Sequence, residues 1–149
     1  MIALVAPRLP FLLYHICMQD DFSKTVADHM DAGFLDNIID MIKKDRGLLV
    51  LIPVLIGDDR QRVRIGAVVL VETFLDGNRE EIEALVPSIS AVIESGEGKN
   101  PAVRADAVYL LSLIGEAALP YLRKAAMDSH PVVRGAALDG IREIEGSNN

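Results

Sequence analysis

The sequence predicts an all-α fold built by repetition. Two observations carry this. First, the stretch Pro101-Ala102-Val103-Arg104-Ala105-Asp106-Ala107-Val108 recurs as Pro131-Val132-Val133-Arg134-Gly135-Ala136-Ala137-Leu138, and more loosely as Gln61-Arg62-Val63-Arg64-Ile65-Gly66-Ala67-Val68. Internal copies of one helix opening mark a repeat architecture. Second, no segment sustains the apolar alternation of a strand, whereas helical spacings run throughout.

Aligned on their arginines, the copies share four apolar columns. One residue before the Arg stand Val63, Val103 and Val133; three after, Ala67, Ala107 and Ala137. Seven after stand Val71, Leu111 and Ile141; ten after, Phe74, Ile114 and Ile144. Steps of four, four and three keep these columns on one helical face. The small alanine column lets a neighbouring helix approach closely.

In chain order, Pro10 can open a helix from Phe11 to about Met18, which Asp20-Asp21 ends. Ser23 can cap the next helix, with Val26, Ala27 and Met30 on one face, and Gly33 breaks it. Phe34, Leu35, Ile38, Ile39 and Ile42 then mark an amphipathic helix, with Lys43 and Lys44 at its C-terminal end. Gly47 closes it. Leu48 to Ile56 contains Pro53, and Asp58-Asp59 turns into a helix from Arg60 to about Leu75. Asn78-Arg79-Glu80-Glu81 reads as a capping box opening a helix to about Glu94, with Pro87 inside. Residues 95–99 form a flexible loop by composition. Helices follow from Pro101 to Ile114 and from Glu116 to about Met127, the second with Pro120 early in it. The last runs from Pro131 to Glu145 and ends at Gly146. Pro53, Pro87 and Pro120 are expected to kink the first helix of each pair.

With 149 residues the chain is one domain long. Aromatic residues are 5% of the chain, with no Trp, so its apolar half is mostly the small and aliphatic side chains of packed helices. The formal net charge of −7 offers no electrostatic footprint for a phosphate backbone, which disfavours nucleic acid as a partner. A single cysteine excludes an intrachain disulfide and fits a reduced, cytoplasmic setting. The apolar run from Met1 to Met18 reads as a buried helix rather than a leader, since Arg8, Pro7 and Pro10 break the leader pattern. It is too short to span a bilayer.

Residues Leu48 to Glu145 resemble HEAT repeats, especially the short type named after the phycobilisome lyases, with Ala118-Leu119-Pro120 through Ile144 as the best match. Asp20 to Lys44, with Ala32-Gly33-Phe34-Leu35, is similar to an armadillo unit. The resemblance implies one right-handed α-α superhelix over residues 1–149. Its armadillo-like part is 1–47, and its HEAT-like repeats are 48–76, 77–115 and 116–146. Such scaffolds are used mainly for binding proteins. The resemblance also implies an inter-repeat ladder in which a turn Asp bonds backbone amides and the next repeat's Arg. Asp58 stands six before Arg64 and Asp128 six before Arg134, whereas Gly98 replaces the Asp before Arg104. Arg64, Arg104 and Arg134 lie at the edge of the apolar face, which favours this ladder over an anion-binding row.

Opposite the apolar face, five residues after each Arg, stand Val69, Tyr109 and Asp139, with Glu72, Asp106 and Arg142 nearby. If the second helices line a concave surface, these six form the partner-binding face, Val69 and Tyr109 as anchors within an acidic rim. His15, Cys17 and His29 are the only metal-like grouping. The two-residue offset of His15 and Cys17 points them apart on a helix, so no metal, cofactor or catalytic residue is expected. The expected function is a non-catalytic scaffold holding a protein or peptide. One alternative is an enzyme or enzyme subunit on the same scaffold, bilin-lyase-like. The other is a homo-oligomer joined through the apolar residues Ile2 to Val5 and Phe11 to Leu13.

Overall fold

In the computed structural model, residues 8–94 and 100–147 are described, with side chains from residue 20 onward. The expected loop at 95–99, with Gly98, and the apolar residues Ile2 to Val5 lie outside the described residues. So do the side chains of Phe11 to Leu13, His15 and Cys17.

The first described element is one helix, α1 (Arg8–Asp31). The break expected at Asp20-Asp21 is absent, and Ser23 lies inside the helix, buried, rather than capping it. Local propensity for a cap is weak beside the burial of Val26, Ala27 and Met30 from the same stretch. Gly33 stops the helix at φ 97°, and the Phe34 N–H donates to the His29 carbonyl at 2.9 Å. This is the left-handed glycine closure of a helix C-terminus. In α2 (Leu35–Lys44), Ile38 and Ile42 are buried, while Phe34 caps its start and is 51% exposed, so it leaves the expected apolar face.

Three helix pairs follow. A 3-10 turn (Arg46–Leu51) leads into α3 (Ile52–Ile56), which pairs with α4 (Gln61–Phe74). α5 (Arg79–Glu83) and α6 (Val86–Glu94) pair with α7 (Pro101–Ile114). A short 3-10 turn (Glu116–Ala118) and α8 (Leu119–Ala125) pair with α9 (Pro131–Ser147). The prolines do not kink these first helices from within. Pro53, Pro87 and Pro120 each stand second in a fresh α-helix, where the missing N–H has no helical partner to lose. Each first helix is therefore two segments, split just ahead of its proline. Asn78 makes no side-chain cap bond, so the expected capping box does not form. Gly146 does not end α9, which runs one residue beyond it.

α4, α7 and α9 form one layer, with α1 beside α4; α3, α6 and α8 form the other. Between them lie Val63, Val103, Val133, Ala67, Ala107 and Ala137, all fully buried. Burying each valine is worth about 1.5–3 kcal/mol. Two glycines allow the closest helix approaches. A Cβ on Gly66 would lie 2.1 Å from Met30 Cε of α1, and one on Gly140 would lie 2.7 Å from Ser112 Cβ of α7. Among the described residues there is no strand, and no helix long and apolar enough to cross a membrane.

Candidate partner-binding groove

The turn before each second helix is set by an acceptor side chain. Asp58 Oδ1 accepts the Arg60 N–H at 2.9 Å, and Asp128 Oδ1 accepts the His130 N–H at 2.9 Å. In the middle pair Asn100 takes over, accepting the Ala102 N–H at 3.0 Å. Each satisfies backbone donors at a helix start.

The arginines then join turns, helices and repeats. Arg64 Nη1 donates to the carbonyls of Asp58 and Asp59 at 2.9 and 2.8 Å, and its Nε donates to Asp106 of the next pair at 2.7 Å. Arg104 Nε donates to the Ile93 carbonyl at 2.8 Å, and Nη1 reaches Asp128 of the next pair at 3.2 Å, with Nη2 on the other oxygen. Arg134 Nη1 donates to the carbonyls of Asp128 and Ser129 at 2.8 and 2.7 Å. The expected Asp58–Arg64 pairing thus runs through the Asp58 carbonyl, not its carboxylate. The carboxylate takes Arg60, at 2.9 Å on each oxygen. Arg60 Nη1 also reaches Asp28 of α1 at 2.7 Å. The sequence places Arg60 at a helix start but gives it no pairing role, because nothing local marks a residue that reaches back 32 positions.

These contacts tune two carboxylates. The hydrogen bond from the Arg60 side chain holds Asp58 below the usual range. Burial alone would raise Asp128, but the His130 amide and the Arg104 guanidinium outweigh it and leave the carboxyl lowered. The arginines are committed to carbonyls and carboxylates, and Arg64 is buried. They do not form an open anion row.

Val69, Glu72, Asp106 and Tyr109 come together between α4 and α7. With Gln61, Arg64, Ile65 and Val68 they line an open groove of about 290 Å³. Ile65 is 54% exposed and Tyr109 47%, and Val69 is half-buried between them. Ile65 was missing from the sequence expectation, although it precedes Val69 by one helical turn and so shares its face. Asp139 and Arg142 are on α9, outside the groove, and pair with each other at 3.4 Å in full solvent. A larger depression of about 570 Å³ lies at the ends of α5, α7 and α9. Arg79, its cationic side chain, is already engaged by the Ile114 carbonyl at 3.1 Å and Glu83 at 3.4 Å.

Among the described residues no group of His, Cys, Asp or Glu is placed to hold a metal ion. His29 Nδ1 donates to the Thr25 carbonyl at 3.0 Å, a bond within its own helix.

Comparison with curated proteins and with solved structures returned no match. The family model for HEAT repeats matches residues 48–142, from within the first 3-10 turn into α9. With well over half of its length matched and its helices stacked in pairs, the chain belongs to the HEAT-repeat family.

Proposed function

We propose that the chain is a non-catalytic HEAT interaction module that holds a protein or peptide segment in the groove between α4 and α7. HEAT repeats are commonly protein-interaction scaffolds, which supplies the class. The observation that supports the location is the side-by-side exposure of Ile65 and Tyr109, with Val69 between them, on adjoining second helices. An apolar floor with polar ends is how protein interfaces gain both area and register. Glu72 is exposed at the groove's edge, whereas Asp106 already accepts the Arg64 Nε, so the segment it holds carries an apolar anchor with a basic neighbour facing Glu72. Asp139 and Arg142 satisfy each other outside the groove and are assigned no part in it.

A displayed random-peptide library tests this. Peptides retained by the native protein are expected to share an apolar or aromatic residue flanked by Lys or Arg. They are expected to bind Ile65→Asp and Tyr109→Ala at least 10-fold more weakly, a loss of about 1.4 kcal/mol. Peptides that bind both variants as well as the native protein would refute the location.

A further inference from the structure

The groove between α4 and α7 constrains the backbone of whatever it holds. Its walls offer no main-chain partner. From Ile65 to Glu72, and at Asp106 and Tyr109, the wall backbone lies inside helices and is bonded within them. The carbonyls of Val69 and Tyr109 each accept a second donor, Thr73 Oγ1 at 2.7 Å and Ser112 Oγ at 2.6 Å. The polar side chains midway are committed too. Arg64 gives its Nε to Asp106 at 2.7 Å and its Nη1 to the carbonyls of Asp58 and Asp59. Apart from the Tyr109 hydroxyl, that leaves Gln61 and Glu72, both exposed, at opposite ends of the groove. Three turns of α4 separate them, about 16 Å.

An extended segment needs about five residues to cover that length. Its N–H and C=O groups would lie against Ile65, Val68, Val69 and Tyr109, losing water without gaining a partner. A helix bonds its own backbone and meets the groove with side chains alone. Ile65 and Val69 also form an i, i+4 ridge on α4, a shape that seats between the ridges of a second helix. We infer, on the reading that this groove is the binding site, that it holds an amphipathic α-helix of a partner protein rather than an extended segment. The helix lays apolar residues spaced i, i+3 and i+4 among Ile65, Val69 and Tyr109. On the same face, one to two turns along, it carries Lys or Arg opposite Glu72.

Peptides selected on the native protein from a random library serve as probes. Their binding is compared on native protein, Ile65→Asp and Tyr109→Ala, with circular dichroism confirming that each variant folds. A retained peptide is then isotopically labelled, and its Cα chemical shifts are read by NMR in complex with unlabelled protein. Helical shifts are expected across its apolar residues. Proline at a mid-segment position facing away from the groove is expected to weaken binding about 100-fold, because proline breaks a helix interior. Alanine at the same position is expected to leave binding unchanged. A peptide that needs Ile65 and Tyr109 yet binds with extended shifts, or tolerates the proline, would overturn the helix and leave the groove in place. A library that retains nothing, or only peptides indifferent to both variants, would remove the groove reading and the helix with it.

Discussion

At the scale of single residues, two aspartates do more than their positions in the sequence suggest. Asp128 holds the His130 amide that starts α9 and the guanidinium of Arg104 from the preceding pair. Its side chain is 15% exposed and that of Arg104 12%, so solvent screens the pair little. Replacing Asp128 by Asn keeps the turn acceptor and removes the charge, which should cost about 2 kcal/mol at neutral pH. The pH dependence follows from the lowered carboxyls of Asp58 and Asp128. A carboxylate lowered on folding contributes stability that is present above the ordinary value of 3.8 and lost as pH falls through its folded value. Denaturant titrations at neutral pH and well below 3.8 should therefore show the gap between native and Asp128→Asn closing on the acid side. A gap of constant size would contradict the role given to the charge. The six-residue spacing made Asp58 and Asp128 legible in the sequence. The actual partners were not: Arg64 meets Asp106 across 42 residues, and no local pattern encodes such a meeting.

At the scale of helices, a small residue decides how closely two elements pack. Gly140 lies against Ser112 of α7, and a Cβ there would sit 2.7 Å from the Ser112 Cβ, an atom held by its backbone. Gly140→Val should separate α7 from α9 and cost about 1–3 kcal/mol, even though valine suits a helix interior slightly better than glycine. Thermal unfolding of the variant measures this, and an unchanged midpoint would mean that the helices are not in close contact there. The boundaries of α7 were readable residue for residue, because Pro101 and Gly115 punctuate it at both ends. The long α1 was not, since Asp20, Asp21 and Ser23 imitate a helix end and a new cap. Packing of Val26, Ala27 and Met30 overrides that imitation. The prolines misled differently. Their presence was legible, but whether a proline kinks a helix or starts one depends on where the helix begins, and burial ahead of each proline decides that.

At the scale of the whole molecule, the repeat explains why the architecture was plain and the binding site only partly so. The Val and Ala columns recur because every pair must bury the same face, and recurrence is visible in one sequence. A binding face carries no such repetition. Ile65 has Ala105 and Gly135 as counterparts, and Val69 and Tyr109 share their column with Asp139, so only their meeting in the groove distinguishes them. Asp139 and Arg142 occupied equivalent positions by alignment, yet α9 lies one helix beyond the groove. The central claim is that partners enter between α4 and α7 rather than on the outer layer of first helices. A photoreactive phenylalanine analogue placed at Tyr109, and separately at exposed Ser88 on α6, tests this most directly with a library-selected peptide. The account predicts strong crosslinking from position 109 and none above background from position 88. Crosslinking from position 88 alone would contradict it.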